Sequence, residues 1–320
     1  MSAPDVIVTA PLPPFLYDPL KRDFRTHDYY QSAHKPALLD AESPRIRGLV
    51  QGGGTVTPTT LLDALPKLEI ISVFGVGYDG VPVDYCRKRG IKVTNTPDVL
   101  TDDVADVAVG LVLMTGRGFA KAERFMRAGE WETKGFELTT KLGGRKVGIL
   151  GLGRIGREVA KRALAFEMKV CAFDLYWDEA FAKQYPVERK PAAEDVLRAS
   201  EVVSLHMNLT EENKEYINLS RIALMKKGAY LINCARGGLI SQPDVAAALK
   251  QGVLGGYGAD VVEPEPIEKS NPLLGAPNVV LTPHTGSRTY ESVERQALMA
   301  AENMIRVLGG QAPHAQANKL

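Results

Sequence analysis

Between residues 145 and 174 the chain reads RKVGIL, then Gly151-Leu152-Gly153-Arg154-Ile155-Gly156, then a helical pattern, then VCAF closed by Asp174. In such a strand–turn–helix the first glycine permits the tight turn, the second lets backbone approach a pyrophosphate, and the third lets helix and strand pack closely. Amides at the start of the helix lack partners within it and suit phosphate oxygens. The glycine spacing alone is a weak signal, because many matches are only glycine-rich turns. The flanking strand, the helix and the carboxylate ending the next strand make it strong. Asp174 is placed to hydrogen-bond both ribose hydroxyls of a dinucleotide and to repel a 2′-phosphate, so NAD(H) is expected rather than NADP(H).

Ligands of parallel sheets bind beyond the carboxyl ends of the strands, which directs attention to polar residues that follow apolar runs. Gly52–Gly54 and Gly75-Val76-Gly77-Tyr78-Asp79 could aim backbone amides at an anion. Further along come Arg236 after LINCA, Asp260 within GYGADV, Glu265 within EPEP and His284 after VVLTP. An arginine ending an apolar strand is costly without an anion, and its fork matches a carboxylate; a structural salt bridge is the competing reading. Of the five histidines, His27, His34 and His314 lie in loop-like or terminal segments and read as bystanders. His206 ends the strand VVSLH and competes with His284. The second is better placed, because Gly286 and Ser287 follow it in a loop and Glu265 offers a carboxylate. A His–carboxylate pair with an arginine and a dinucleotide site suggests hydride transfer at a carbonyl, the histidine handling the proton. Cys234 has nothing basic beside it to activate a thiolate and reads as a small buried hydrophobe.

These residues need two α/β frameworks to hold them. Strands are expected at 5–10, 46–51, 69–75 and 91–96, with helices near 58–65 and 83–89. A second series of strands is expected at 146–150, 170–173, 201–206, 229–234, 258–261 and 279–283, with helices at 155–166, 192–199, 220–226 and 243–251. Apolar strands alternating with helices indicate parallel sheets covered on both faces, so two doubly wound domains are expected. Residues 101–127 between them read as a long buried helix, Thr101 its N-cap and Asp102 and Asp103 at its positive end. A last helix is expected from Tyr290 to Leu308.

Composition fits this frame and excludes others. The 320 residues carry 39 Lys+Arg against 38 Asp+Glu, so no global field invites nucleic acid or an anionic membrane. Three widely spaced cysteines form neither a disulfide framework nor a zinc spacing, and no metal is expected. Residues 1–14 lack a basic segment and contain four prolines, so no signal peptide is expected. The most apolar stretch, 104–114, contains Asp106 and is too short to span a membrane. A soluble cytoplasmic protein is the expectation.

Taken in order, GVGYDG (75–80), NTPDVLTDDVAD (95–106), GILGLGRIG (148–156), INCARGG (232–238), DVVEPEP (260–266) and PHTGS (283–287) resemble the D-isomer-specific 2-hydroxyacid dehydrogenase family. The resemblance covers nearly the whole chain and is strongest to the glyoxylate/hydroxypyruvate and hydroxyphenylpyruvate reductase branch. It implies a Rossmann dinucleotide-binding domain at 101–289. It also implies a flavodoxin-like substrate domain formed by 1–100 and completed by the helix in 290–320. It implies that Arg236 binds the substrate carboxylate and helps polarise the carbonyl, with His284 as acid/base and Glu265 as its partner. The Val76 and Gly77 backbone would hold the other side of the carboxylate. The matching cofactor positions are Gly151 to Gly156, Asp174, Leu175, Tyr176, Cys234, Ala235, Asp260 near the nicotinamide amide, and Gly286. A homodimer formed through the cofactor domain is the family default. Three positions depart from the pattern: Asn208 stands where proline is usual, Gly80 where asparagine is common, and Asp174 where NADP-using relatives of the hydroxyphenylpyruvate branch have a polar or basic residue.

The reaction so implied is NAD-dependent interconversion of a small 2-keto acid and its D-2-hydroxy acid. A non-catalytic NAD-binding regulator on the same fold is the alternative from another class, since fold does not fix function. Formate or phosphite oxidation is disfavoured because the formate enzymes carry Gln where this chain has Glu265. Spacing leaves glyoxylate, hydroxypyruvate, pyruvate and an aromatic pyruvate all open as substrates.

Overall fold

The computed structural model describes residues 3–320; the first two residues of the proline-broken N-terminal stretch lie outside it. The chain forms two compact α/β units, one comprising the described residues up to Leu100 with Thr289–Leu320, the other Thr101–Arg288.

In the discontinuous unit, strands β1 (Asp5–Val8), β2 (Arg25–Asp28), β3 (Ile46–Gly52), β4 (Ile70–Phe74) and β5 (Lys92–Thr94) make one parallel sheet in the order β2-β1-β3-β4-β5. That is the flavodoxin-like strand order. Alternate residues of the central strands feed two cores. Ile7, Leu49, Ile71 and Val73 pack with Leu61, Leu62 and Leu65 on one face. Val6, Val50 and Ile70 pack on the other against helix Pro14–Asp23 and helix Tyr290–Leu308. The last helix presents Ala297, Ala300 and Ala301, small enough for close approach, and Ser72 Oγ donates to the Ala300 carbonyl at 2.9 Å. The chain end then closes the β5 edge. Asn318 accepts from the Val93 amide and donates to the Ile91 carbonyl, both at 2.8 Å, so its side chain substitutes for a neighbouring strand.

Two elements here escape the apolar pattern. β2 is RTHD, a partly exposed edge strand whose residues carry charge rather than core. Its His27 is no bystander: Nε2 lies 2.7 Å from Asp5 in a mixed cluster with Glu42, Arg25 and Arg45. Helix Pro14–Asp23 begins and continues with prolines, yet Leu16 and Leu20 anchor it. At the carboxyl ends of β3 and β4, a Cβ on Gly80 would lie 2.2 Å from the Thr55 carbonyl. Glycine at this departure from the family pattern lets the two strand-end loops touch.

In the other unit, β6 (Lys146–Leu150), β7 (Lys169–Phe173), β8 (Val187–Arg189), β9 (Val202–Leu205), β10 (Ala229–Asn233), β11 (Leu254–Ala259) and β12 (Val279–Leu281) form a parallel sheet. The order is β12-β11-β10-β9-β6-β7-β8, the Rossmann arrangement extended by one strand, and it reverses between β6 and β9. That reversal opens the crevice where ligands bind. β11 begins four residues before the expected strand because its first half, LGGY, dilutes the apolar signal with glycine. Helix Thr101–Gly116 buries Val104, Ala108, Leu111 and Val112 beneath the sheet, and Arg162 on helix Arg154–Ala165 grips it through Asp106 at 2.6 Å and Asp102 at 3.2 Å. The expected single helix over 101–127 is in fact two. Gly118 adopts φ +63 and breaks it, and the second piece, Phe119–Arg127, has no buried residue. Among the described residues no helix is long and apolar enough to cross a membrane.

Candidate active site

The ends of β10, β11 and β12 carry the reactive groups of the Rossmann unit. Asp260, just past β11, is 2% exposed, and its carboxylate is saturated by donors. One oxygen accepts from the Thr282 hydroxyl, the Thr285 amide at 2.7 Å and the Thr285 hydroxyl at 3.0 Å; the other accepts from the Gly286 amide at 2.7 Å. The Asp260 carbonyl accepts from the His284 amide at 2.9 Å. The whole loop 282–286 is thus wrapped around one buried carboxylate. His284 itself sits at φ +52, a left-handed conformation that costs a non-glycine residue about 1–3 kcal/mol and persists only where its surroundings enforce it. Asp260 supplies that enforcement.

So held, the His284 ring meets Glu265, with Nδ1 2.7 Å from Oε2. The other carboxylate oxygen of Glu265 accepts from the Val262 amide at 3.2 Å. Partial burial pushes the Glu265 carboxyl up. The hydrogen bond and charge of His284, the Val262 amide and the charge of Arg236 outweigh it, and hold the carboxyl below the usual glutamate range. Glu265 is therefore ionised near neutral pH, fixes Nδ1 as the protonated ring nitrogen, and leaves Nε2 for proton exchange. The two side chains remain 49% and 38% exposed, so a small molecule can reach them. Arg236 follows β10, its guanidinium folded back to the Ala235 carbonyl at 2.7 Å and its charge felt at Glu265.

On the other side of the strand-order reversal, the glycine-rich turn has the geometry expected of it. Gly151 adopts φ +95, and a Cβ on Gly156 would lie 2.1 Å from the Gly151 carbonyl, so both positions demand glycine. The Cβ position of Gly153 is open, with nothing within 4 Å, and leaves room for a pyrophosphate over the helix N-terminus. Asp174 lies beside this turn, its oxygens accepting from the Leu152 amide at 2.6 Å and the Tyr176 amide at 2.7 Å. The Leu152 amide is thereby engaged within the protein, so a pyrophosphate here would be held by the first turn of helix Arg154–Ala165. Leu175 and Tyr176 are exposed beyond the strand end. These residues fit a dinucleotide.

The competing groups fall away on their surroundings. His206 has Nε2 2.8 Å from the Ser204 hydroxyl, a buried Nδ1 with no partner, and no carboxylate; burial pushes its pKa down to about 4. It is neutral at physiological pH. Burial, with the charge of Asp260 added, pushes the Cys234 thiol far up, and the residue cannot serve as a thiolate.

Residues 109–286 match the family model "D-isomer specific 2-hydroxyacid dehydrogenase, NAD binding domain". The chain is 37% identical over 304 residues to a hydroxyphenylpyruvate reductase of Plectranthus scutellarioides, covering 95% of this chain and 96% of that one. The chain belongs to the D-isomer-specific 2-hydroxyacid dehydrogenase family. As a D-2-hydroxyacid dehydrogenase it is an oxidoreductase that uses a nicotinamide dinucleotide. It is also 38% identical to a glyoxylate reductase of Pyrococcus horikoshii over 99% of this chain and 96% of that one. A solved NADPH-dependent glyoxylate/hydroxypyruvate reductase of Sinorhizobium meliloti, in complex with NADP and malonate, superposes with a TM-score of 0.89 at 31% identity, covering 99% of this chain and 97% of that one.

Within this dehydrogenase, the sequence pointed to Arg236, Glu265 and His284, and the structure brings Glu265 and His284 into contact, with Arg236 near enough for its charge to act on Glu265. It missed the supports. Thr282 and Thr285, which hold Asp260, look like ordinary loop residues, and their alternation around His284 in TPHT was the available signal. Arg157 was also missed; it donates to the Leu152 carbonyl at 3.0 Å and pairs with Asp178 at 2.7 Å, bracing the glycine-rich turn. In the discontinuous unit, Val76 and Gly77 lie in the loop after β4. Asn95 secures that loop by donating to the Val76 carbonyl at 2.8 Å, and among the described residues the Val76 and Gly77 amides donate to no protein acceptor.

Proposed function

We propose that this dehydrogenase reduces a small 2-keto acid of the glyoxylate/hydroxypyruvate or hydroxyphenylpyruvate type to its D-2-hydroxy acid, with NADH preferred over NADPH. The observation that carries the reading is the His284–Glu265 contact beside Arg236 in a dinucleotide-binding unit. A bound NADH supplies the hydride to the carbonyl carbon. Arg236 holds the substrate carboxylate with its planar fork and draws charge from the carbonyl oxygen. Protonated His284 gives its Nε2 proton to that oxygen as the alcohol forms. The neutral ring that remains keeps its Nδ1–H on Glu265, and the reverse reaction uses the same atoms as a base. In the discontinuous unit, which we read as the substrate domain, the Val76 and Gly77 amides are the backbone donors to the substrate carboxylate.

Cofactor preference rests on Asp174. Its carboxylate, already fixed by two amides, retains lone pairs for ribose hydroxyls and repels a 2′-phosphate. The remaining cofactor contacts are Gly151 to Gly156, Leu175 and Tyr176 beside the adenosine, and Cys234, Ala235, Asp260 and Gly286 toward the nicotinamide. The enzyme works as a homodimer in the cytoplasm, where its three free cysteines stay reduced. Helix Phe119–Arg127 and the segment after it support the dimer. They expose Phe119, Met126, Trp131 and Leu138, an apolar surface that suits a second copy.

The test is NADH oxidation with glyoxylate, hydroxypyruvate, pyruvate and 4-hydroxyphenylpyruvate, repeated with NADPH. At least one keto acid should be turned over, faster with NADH. No turnover of any of them, under conditions where NADH is shown to bind, would sink the reading.

A further inference from the structure

Arg236 does not hold itself in place. It follows β10 in the tight turn Asn233-Cys234-Ala235-Arg236, and the side chain of Asn233 spans that turn from inside. Asn233 is fully buried. Its Oδ1 accepts from the Ala235 amide at 3.0 Å, and its Nδ2 donates to the Arg236 carbonyl at 2.8 Å. The same carbonyl takes a second bond from the Leu239 amide at 3.2 Å. Below the turn, the Asn233 carbonyl accepts from the Asp260 amide at 3.0 Å, which ties the turn to the residue that organises the His284 loop. One side chain thus satisfies two backbone groups of a buried turn, and the short amide does so by carrying its donor and its acceptor on separate atoms. Asp would face the Arg236 carbonyl with a charged acceptor, and Ser is too short to reach it.

We infer that Asn233 is a positioning residue for Arg236: it sets where the guanidinium projects, and through that how the substrate carboxylate is held. The guanidinium folds over the turn to the Ala235 carbonyl at 2.7 Å, so any relaxation of residues 234–236 carries the fork with it. The loss is felt as weaker substrate binding rather than as slower proton transfer, because the His284–Glu265 pair sits on other loops. The inference rests on Arg236 being the carboxylate binder.

The experiment is a double-mutant cycle on the full-length enzyme, with Asn233→Ala, Arg236→Ala and the pair, read as kcat/KM for the best keto acid, together with pH profiles of kcat. Leaving a buried backbone carbonyl and amide without this partner should raise the keto-acid KM about tenfold. The alkaline limb of kcat should stay where the wild type has it. In the Arg236→Ala background the same substitution should change kcat/KM less than about threefold, because residues acting through one group are not additive. Additive losses, an unchanged KM in Asn233→Ala, or a displaced alkaline limb would each overturn the inference while leaving the Arg236 reading intact. An Arg236→Ala enzyme with wild-type kcat/KM would instead overturn that reading, and the inference with it. If Asn233→Ala does not fold, Asn233→Ser replaces it: a hydroxyl still accepts from the Ala235 amide but loses the Arg236 carbonyl, and the same KM rise is expected.

Discussion

Two strands of one sheet, β9 and β12, each lead into a histidine, and the two rings have opposite chemistry. His206 continues β9 directly, its ring enclosed beside Ser204 with no charged neighbour, and burial holds it neutral. His284 stands three residues beyond β12, turned outward by a left-handed backbone and met by an ionised carboxylate. The difference teaches that strand-end position makes a histidine a candidate, while the neighbouring carboxylate and the exposure make it an acid. It also shows where the protein invests in order. The buried support for His284 is Asp260, whose four donors hold a loop that would otherwise relax.

The comparison breaks first on turnover. His284→Ala should lower kcat by about 10²–10⁴, the range for losing a general acid/base, whereas His206→Asn should cost less than about tenfold. Equal losses would mean that the two strand ends are not chemically distinct. On acidification the roles reverse. The pKa of His206 is depressed in the folded state, so the unfolded chain binds the extra proton between pH 6.5 and about 4, and stability falls as pH falls through that window. The loss is roughly 2–3 kcal/mol, measurable by urea unfolding across that range, and His206→Asn should flatten the slope. The same slope in the variant would assign it to another group.

A third strand end extends the comparison to the cofactor. Asp174→Ala should narrow the NADH-over-NADPH ratio of kcat/KM by about tenfold, since facing like charges cost at least that much. A constant ratio would remove Asp174 from cofactor choice. The smallest effect belongs to the loop support: Thr285→Val deletes one hydroxyl donor to Asp260 and should cost about 1 kcal/mol of stability in denaturant. A cost near zero would show that the remaining donors suffice.

Legibility in the sequence followed burial and charge. Apolar parallel strands such as KVGIL and AYLIN, and the glycine-rich turn after the first of them, announce themselves because both faces of the sheet are covered. β2, written RTHD, could not, since its residues serve an ion cluster instead of a core. The break between helices Thr101–Gly116 and Phe119–Arg127 was hidden because glycine within a helical pattern is tolerated as often as it ends one. At the site, residues that end apolar runs were visible, Arg236 and His284 among them. Residues that support others were not: Asn233 bridges an amide and a carbonyl of its own turn, and Thr282 and Thr285 donate hydroxyls to the buried Asp260 carboxylate, partners that only the folded chain brings near.

The measurement that bears most directly on the account is the pH profile of keto-acid reduction in wild type and Glu265→Gln. The rate should fall as pH rises and the proton donor is lost, and the Glu265 carboxylate, held below the usual glutamate range, is the charge that faces that donor at 2.7 Å. Removing that charge should move the falling limb to lower pH and reduce kcat. A limb that stays in place in Glu265→Gln would contradict a His284–Glu265 pair as the proton donor.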